Sequence, residues 1–528
     1  MILKRFILLF LFITHSASFA ERSITRLHYT GTASDAVATL TDLGADILYL
    51  NVEKQYANIL IDTNQQKRIR DMAFSTEMLH PDADAYARQL RSQGYLEHFT
   101  SYTEMLSMME SLVASHPHIA RLKYIGDTYE REAGRGGYEI AVLKISDNVW
   151  EEEDEPEVFY MANMHAREII TPEIILRFMH DLVLEYGQDP RATYLVNERQ
   201  IWLCPSMNPD GYEYVLTGSN PNDIFRDPIW WRKNKRDNYR TGSFDPSVDG
   251  VDLNRNFGYL WGGIGSSGNP FSNTYRGTAP FSEPESQAIR DFVIEHRFCI
   301  SLSFHSHGQL WLYPWGFARR ITPDHDVFVA LADSCVHYNG YDARLAAELY
   351  VVSGDTDDWF YGEQELKNKI YAFTPEVGNE AESVGGWTGF FPDTAYIEKQ
   401  IAENQGPMYY LAYAAGEEPI LFAQGPEDTL ESGASFNVSA GIEDPIPLSD
   451  PAQLDEASVY VYYNTTGIAP FESQRLDPDP AQPDLFSGDI PVNGTGVDVY
   501  YYVSASDTEG RIGHAPRYAP HACLLYTS

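Results

Sequence analysis

The stretch M-A-N-M-H-A-R-E-I-I-T-P-E, residues 161–173, joins the end of an apolar segment to the start of a helix. Residues 158–162 (V-F-Y-M-A) are apolar throughout, which predicts a buried strand. The Thr-Pro pair near the end of the stretch is typical of a helix start, with threonine as N-cap and proline as first helical residue. His165 and Glu168 therefore lie in a loop at the carboxyl end of a strand, where open α/β sheets place their ligands.

A single His-x-x-Glu pair is uninformative in a chain with 76 acidic residues. It is neither His-Glu-x-x-His nor the inverted form, because Ile169 follows Glu168, so the glutamate would have to be a metal ligand itself. A third ligand is available at His305, which ends the apolar segment C-I-S-L-S-F, and His307 would face the same side in an extended chain. Two histidines, one carboxylate and a water form the open arrangement of catalytic zinc sites.

The bulk composition limits the class of partner. With 38 basic and 76 acidic residues the net charge is −38, which argues against nucleic acid or an anionic membrane surface as a partner. A length of 528 residues predicts two to four domains. Residues 1–20 combine two basic residues, a short apolar run and small residues near the end, which predicts a signal peptide and a secreted protein. No other stretch is long and apolar enough to predict a membrane span.

The residue composition and the hydrophobic pattern change along the chain. Residues 21–80 read β-α-β-β-α-β, the order of a small ferredoxin-like α+β unit, and residues 81–95 are polar and predict a linker. Residues 96–415 alternate strand-like and helix-like segments, which predicts an α/β domain with a mostly parallel or mixed sheet. Residues 416–528 carry short alternating strands between turn residues, which predicts a β-sandwich accessory domain with a truncated end. Four cysteines make no disulfide scaffold, although Cys299 and Cys335 could pair.

Further blocks downstream complete a family pattern. They are P-S-M-N-P-D-G-Y (205–212), W-W-R-K-N-K-R (230–236), V-D-L-N-R-N-F (251–257), F-H-S-H (304–307), L-Y-V-V-S-G-D-T-D-D-W (349–359) and F-T-P-E-V-G (373–378). Together with H-A-R-E at 165–168, the region 96–415 resembles the zinc carboxypeptidases of the carboxypeptidase A/B type, the M14 metallopeptidases. The resemblance implies a mixed eight-stranded sheet flanked by helices, a peptide or protein substrate with a free C-terminus, and a monomer.

The same resemblance implies the metal ligands and the carboxylate clamp. Zinc would be the cofactor, held by His165, Glu168 and His305. Asn254 and Arg255 would bind the α-carboxylate of the substrate, with Arg167 nearby. A guanidinium suits that task because it binds a carboxylate through two parallel hydrogen bonds.

The remaining roles also follow from the resemblance. Arg232 would stabilise the oxyanion of the tetrahedral intermediate. Glu376 would be the general base that takes a proton from the attacking water and delivers it to the leaving amine. Tyr350 would cap the bound substrate. Asp357 would lie at the base of the side-chain pocket, where an acidic residue implies a preference for C-terminal Lys or Arg, or a dual preference.

The chain departs from the family pattern in three places. Asp355 stands where glycine is common, four extra residues separate Trp359 from Glu376, and His307 stands where the digestive members have tyrosine. Residues 21–80 resemble the activation segments of this family, which predicts either a removable propeptide, cut at Arg88 or Arg91, or a permanent accessory domain. Two alternative functions stay open: a peptidase of the same fold acting on cell-wall peptides, and a non-catalytic peptide-binding module.

Overall fold

The computed structural model describes residues 22–72, 74–153, 155–218, 226–416, 420–424, 435–443, 456–466, 470–480, 482–491, 498–506, 512–515 and 524–527. The predicted signal peptide and Cys523 lie outside these residues. The described residues form an N-terminal four-stranded sheet, a central eight-stranded sheet, and two further sheets near the C-terminus.

The N-terminal domain has the predicted β-α-β-β-α-β order. Its four strands form an antiparallel sheet in the order β2-β3-β1-β4. The second helix starts at a capping box, in which Asp62 and Gln65 satisfy each other's backbone amides. The elements are β1 Arg22–His28, α1 Ala33–Asp42, β2 Asp46–Asn51, β3 Tyr56–Asp62, α2 Thr63–Asp71 and β4 Ser75–His80.

The predicted linker contains a helix, α3 (Ala83–Ser92), followed by a 3-10 turn, Tyr95–His98. The Asp82 side chain caps this helix by accepting from the amide of Ala85. Alanines and a leucine recur at helical spacing, and this face packs into the main hydrophobic core. The polar composition of residues 81–95 therefore reflects the outer face of a packed helix.

The central domain is built on an eight-stranded mixed sheet, as the resemblance implied. The strand order is β11-β10-β12-β9-β7-β8-β6-β5. The central strands β12, β9, β7 and β8 run parallel, whereas β5 and β6 pair antiparallel at one edge. The strands are β5 Ala120–Asp127, β6 Glu139–Ile145, β7 Glu157–Ala162, β8 Gln200–Cys204, β9 Phe298–Phe304, β10 Leu310–Tyr313, β11 Asp342–Leu345 and β12 Tyr371–Glu376.

Helices cover both faces of this sheet and supply its two apolar cores. The helices are α4 Tyr102–Ser115, α5 Tyr129–Glu132, α6 Thr171–Leu184, α7 Pro190–Glu198, α8 Pro209–Thr217, α9 Pro284–Glu295, α10 His325–Asn339, α11 Ala346–Leu349, α12 Thr356–Gly362, α13 Ile397–Ala402 and α14 Gln405–Ala414. None of the helices in the described residues combines the length and hydropathy needed to cross a membrane.

The stretch 161–173 lies where it was predicted, between β7 and α6. The predicted N-cap is one residue off: Ile170 occupies that position and Thr171 is the first helical residue. The Thr171 hydroxyl instead donates to the carbonyl of Glu168 and accepts from the amide of Asn163. The threonine therefore stabilises the loop that carries His165 and Glu168 rather than capping the helix.

The C-terminal domain is a β-sandwich within its described residues. One sheet has the order β13-β14-β18-β17 and the other β16-β15-β19-β20, with β21 paired to β19. Buried residues from both sheets form one apolar cluster. The strands are β13 Ile420–Gln424, β14 Ser435–Glu443, β15 Tyr460–Asn464, β16 Glu472–Arg475, β17 Asp477–Asp479, β18 Gln482–Pro491, β19 Asp498–Ser506, β20 Ile512–Ala515 and β21 Leu524–Thr527. Cys299 and Cys335, the two candidates for a disulfide, are both free thiols.

Candidate active site

Three side chains from the predicted set converge at the carboxyl ends of β7 and β9. His165 Nδ1 lies 2.7 Å from Glu168 Oε1, and His305 Nδ1 lies 3.0 Å from both Glu168 Oε2 and His165 Nδ1. All three residues are buried. The loop that carries the first two is held in shape by Asn163, whose side-chain amide donates to two loop carbonyls and whose φ is 56°.

The far nitrogen of each imidazole has its own oxygen partner. His165 Nε2 lies 3.2 Å from Asp252 Oδ1, and His305 Nε2 lies 3.2 Å from Ser303 Oγ. Such partners orient a metal-binding imidazole, because a ring that donates from one nitrogen presents the lone pair of the other. Here both Nδ1 atoms face Glu168.

This arrangement fits a zinc ion. The ligand atoms of His165, Glu168 and His305 lie within 4.8 Å of one another, and they are the nitrogen and oxygen donors that catalytic zinc prefers. Neighbouring histidines hold the pKa of the Glu168 carboxyl below its usual range against the opposing effect of burial. The carboxylate is therefore ionised and ready to coordinate a cation.

The half-buried Arg232 and the buried Asp252 form an ion pair beside these residues. Arg232 donates to Asp252 Oδ2 from Nε at 3.1 Å and from Nη2 at 3.0 Å, and its Nη1 lies 3.9 Å from Glu168 Oε1. The same aspartate thus contacts one metal-ligand histidine and the predicted oxyanion-binding arginine. Asp252 belongs to the V-D-L-N-R-N-F block, but the sequence pattern assigned it no role.

The predicted carboxylate clamp lies in the same cleft. Arg255 Nη2 donates to the hydroxyl of Tyr350 at 3.4 Å, and Asn254 Oδ1 accepts from the amide of Thr356 at 3.1 Å. Arg255 also donates to backbone carbonyls, including that of Gly265 at 2.9 Å. These bonds fix the guanidinium while leaving it on the cleft wall.

Glu376 ends β12 beside the third metal ligand. The amide of His305 donates to the carbonyl of Pro375 at 2.9 Å, so the two residues are held on neighbouring strand ends. Burial raises the pKa of the Glu376 carboxyl to about 8, partly opposed by His305. A carboxyl with a raised pKa beside a metal site is suited to proton transfer near neutral pH.

Asp357, in α12, packs against β12, the strand that ends at Glu376. Its Oδ2 accepts from the Thr374 hydroxyl at 2.8 Å, and Thr374 faces the same side of β12 as Glu376 because the two are two residues apart. Asp357 Oδ1 is buried without a hydrogen-bond partner among the described residues. Burial raises the pKa of this carboxyl well above its usual range, and Asp355 adds to that shift.

Asp355, which stands where glycine is common in this family pattern, has a structural role. Its Oδ1 accepts from the amide of Asp358 at 2.8 Å and caps α12. Asp358 in turn accepts from the amides of Gly316 and Phe317, each at 2.8 Å. The start of α12, which carries Asp357, is therefore tied to the segment that follows β10.

Comparison with known proteins agrees with this geometry. Residues 105–406 match the family described as Zinc carboxypeptidase, Peptidase M14. The chain belongs to the zinc carboxypeptidases. Relatives include the zinc carboxypeptidase of Saccharothrix mutabilis subsp. capreolus (28% identical, 76% of this chain and 90% of that one) and carboxypeptidase B of Astacus astacus (31%, 53% and 86%). The crystal structure of carboxypeptidase A from Helicoverpa armigera has the same fold, with a TM-score of 0.65 at 22% identity over 75% of this chain and 98% of that one.

The chain is thus a metallocarboxypeptidase, a zinc-dependent hydrolase of peptides. Its catalytic cleft is a cavity of about 380 Å³ lined by the metal-ligand residues, the clamp, Tyr350 and Glu376. The opposite wall is β2 of the N-terminal domain and the turn after it, residues 47–53. The N-terminal domain therefore covers the catalytic cleft of this carboxypeptidase.

Arg167, a predicted substrate-binding residue, lies in a small cavity that shares Arg232, Arg255 and Tyr350 with the cleft, and it is bound by the N-terminal domain. Its two terminal nitrogens donate to Asp46 Oδ2 at 2.5 Å and Oδ1 at 3.0 Å, and its guanidinium lies 4.5 Å from the ring centre of Phe390. Both partners of the ion pair are buried. Asp46 was not predicted from the sequence, because nothing local to residues 45–50 signals a partner 121 residues away.

His307 does not join the metal-ligand group. Its Nε2 lies 3.0 Å from the carbonyl of Leu48, and its ring stacks on Tyr49 at 5.2 Å between centres. Burial lowers the pKa of this imidazole to about 4, so it is neutral at physiological pH. In the carboxypeptidase His307 is a contact with the N-terminal domain, not a fourth ligand.

Proposed function

We propose that this carboxypeptidase removes the last residue from peptides with a free C-terminus, and that Glu376 is its general base. The observation that carries this assignment is the position of Glu376, which lines the same cleft as the three metal-binding residues and is backbone-paired to His305. His165, Glu168 and His305 would hold the zinc ion. Zinc supplies a Lewis acid that polarises the scissile carbonyl and acidifies water at neutral pH.

Other residues of the cleft would bind the substrate and stabilise the transition state. Asn254 and Arg255 would hold the α-carboxylate of the substrate, with the Tyr350 hydroxyl closing over it from the Arg255 side. Arg232 would donate to the carbonyl oxygen as negative charge develops there. Asp252 already fixes the Arg232 guanidinium through two hydrogen bonds. The arginine side chain therefore needs little rearrangement when the substrate binds.

Glu376 would take a proton from the attacking water and pass it to the leaving amine. A pKa near neutral suits Glu376 to both proton transfers, because the group must first accept a proton from water and then release it to the amine. The test of the clamp is a pair of peptides that differ only in a free or an amidated C-terminus. We expect release of the last residue from the free acid alone. Equal cleavage of the amide would refute the role of Asn254 and Arg255.

We infer a preference for C-terminal Lys or Arg. The unpartnered Oδ1 of Asp357 supports this inference, because a buried carboxylate without a cationic partner favours a cationic side chain. The measurement is kcat/KM for peptides ending in Lys, Arg and Phe, with the parent and with Asp357→Ala. The inference fails if Phe peptides are cleaved faster than basic ones and the variant leaves that ratio unchanged.

We propose that residues 21–80 are an inhibitory propeptide. The Leu48–His307 contact supports this, because both residues line the cleft that a substrate needs. The buried Asp46–Arg167 pair holds the N-terminal domain in place beside that cleft. Arg91 is a poor cleavage site, since its guanidinium donates to two backbone carbonyls and to Asp227 at 2.9 Å. Arg88, the other predicted site, lies within helix α3, where a protease cannot reach an extended backbone. We therefore propose that a productive cut falls before Ala83 and leaves α3 on the catalytic domain.

Limited treatment of the purified chain with a protease of broad specificity tests this order of events, because residues 71–82 contain no Lys or Arg at which trypsin could cut. We expect carboxypeptidase activity to rise as the N-terminal domain is released, and mass spectrometry to find a new N-terminus before Ala83. Unchanged activity after complete release would instead favour a permanent accessory domain. We further propose that the protein is exported through residues 1–20, acts as a monomer, and carries the C-terminal sandwich as an accessory domain.

A further inference from the structure

Strand β4 connects the N-terminal domain to helix α3 and is weakly held. In the sheet order β2-β3-β1-β4 it is an edge strand, so within the described part of the chain β1 is its one neighbour. Residues 75–78 (S-T-E-M) are exposed at all four positions, whereas a strand that packs on one side buries every second residue. Backbone hydrogen bonds to β1, rather than packed side chains, therefore hold this part of β4.

The chain is anchored again directly after this exposed segment. Leu79 packs against the main hydrophobic core, and the centre of the His80 ring lies 5.0 Å from that of Trp387 in the catalytic domain. Helix α3 follows and packs into the same core. The transition from the exposed edge strand to the segment that is anchored on the catalytic domain thus lies between Met78 and Leu79.

An exposed edge strand of this kind is open to an endopeptidase. Its free edge can pair with an edge strand of another protein, which is how an extended peptide segment is commonly bound. Segments with few buried apolar contacts also open locally at a low free-energy cost. Both properties favour proteolysis at the end of the segment 75–78.

The side chains of this region determine which endopeptidase can cut it. Residues 71–82 contain no Lys or Arg, so an acidic specificity pocket finds no cationic side chain here. Met78 is 53% exposed, and its Sδ accepts a weak hydrogen bond from the Thr25 hydroxyl at 3.9 Å. An unbranched, flexible side chain of this kind can leave its position and fill an apolar pocket.

Basic residues elsewhere in the N-terminal domain are poorer sites. Arg70 lies in the last turn of α2, where the backbone is helical rather than extended. Lys54 is exposed in the turn between β2 and β3. A cut after Lys54 would leave these two strands paired and the connection through β4 intact.

We propose that the Met78–Leu79 peptide bond is the activation site, and that the activating partner is an endopeptidase with an apolar specificity pocket. The inference rests on the proposed propeptide function of residues 21–80. Water adds across the bond and leaves a carboxylate on Met78 and an amine on Leu79. Because the covalent tether is then lost, the N-terminal domain stays bound only through noncovalent contacts and leaves on dilution.

Chymotrypsin and trypsin are suitable probes, because the specificity pocket is apolar in the first and acidic in the second. The zinc-loaded full chain is treated briefly with each, diluted, and assayed on a peptide with a free C-terminus. Mass spectrometry identifies the new N-terminus. We expect chymotrypsin to produce an N-terminus at Leu79 and to raise the activity at least about tenfold, and trypsin to do neither.

The variant Met78→Lys should exchange these two results. Trypsin should now cut before Leu79 and raise the activity, while chymotrypsin should lose both effects. Met72→Lys is the matched control, because Met72 is also exposed, at 47%, but lies in the turn after α2. We expect chymotrypsin to activate this control as it activates the parent.

Two results would overturn the assignment of the site. One is an activated enzyme whose N-terminus is not Leu79, and the other is activation of the parent by trypsin as fast as by chymotrypsin. A complete cut before Leu79, with the N-terminal domain removed and no rise in activity, would instead confirm the cleavage site and refute the propeptide function.

Discussion

Asp46 of the N-terminal domain binds both terminal nitrogens of Arg167, in a small cavity that adjoins the catalytic cleft, at 2.5 and 3.0 Å. The pair joins two domains through buried charges, so losing one partner leaves the other charge unpaired. Truncating one member of such a pair weakens an interface by roughly 2–5 kcal/mol. The stability of the interface between the N-terminal domain and the catalytic domain therefore depends on this ion pair.

The first prediction concerns Asp46→Asn. We expect the uncut variant to be at least about tenfold more active than the uncut parent, because the N-terminal domain would leave the cleft more often. After complete proteolytic release of residues 21–80 the two proteins should be equally active. Asp42→Asn, an exposed acid on the same domain, is the matched control. Identical activity of both uncut chains would contradict the role of the pair.

The second prediction concerns Glu376→Gln in the activated enzyme. We expect kcat to fall by roughly 10²–10⁴-fold, because glutamine cannot accept a proton from water. Zinc content should be unchanged, since Glu376 is not among the three residues that converge on the metal position. Zinc analysis and a C-terminal release assay measure both quantities, with the exposed Glu348→Gln as control. Undiminished release would remove Glu376 from the mechanism.

The third prediction concerns Asp252→Asn. Asp252 contacts His165 Nε2 at 3.2 Å and Arg232 at 3.0 Å, so it positions one metal-ligand histidine and one arginine. We expect zinc affinity to fall by roughly 10–100-fold, as is typical when a ligand histidine loses its carboxylate partner. Competition with a chromogenic chelator measures the affinity, and Asp245→Asn is the control. A variant that binds zinc like the parent would reduce Asp252 to a packing residue.

Much of the fold and site was predictable from the sequence because the signals were local. Each ligand block lies at the end of an apolar strand, so the sequence pattern alone places His165, Glu168 and His305 on one sheet edge. Proline and capping residues predict helix starts to within a few residues. The predicted N-cap at Thr171 was wrong because its hydroxyl bonds into the ligand loop instead.

The contacts that were not predicted join segments far apart in the chain. Asp252 meets His165 across 87 residues, and Asp46 meets Arg167 across 121. Helix α3 was not predicted because most of its residues are polar and lie on its outer face, and only Ala83, Ala87, Leu90 and part of Tyr86 pack on the core. In each case the partner was set by packing of the whole domain, which no short pattern encodes.

The fourth prediction concerns Glu285, a buried acid outside the catalytic cleft. Its Oε1 accepts from the amide of Tyr129 and its Oε2 from Asn234 Nδ2, each at 3.0 Å. Burial, followed by the charge of Glu283, raises the pKa of this carboxyl to about 8 from an ordinary value of 4.5. The folded chain therefore keeps a proton that the unfolded chain releases between these two pH values.

The sign of the pH dependence follows from that difference. Where the folded state binds more protons, the free energy of unfolding decreases as pH rises, so Glu285 lowers stability progressively from about pH 4.5 to about pH 8. Glu285→Gln cannot ionise, and its amide oxygen keeps one of the two acceptor contacts. We expect the stability of the variant relative to the parent to rise across this window, by roughly 3–4 kcal/mol between pH 5 and pH 8. Denaturant unfolding at pH 5 and pH 8 measures the gain, with exposed Glu295→Gln as control, and a parent–variant difference that does not grow with pH would contradict the assignment.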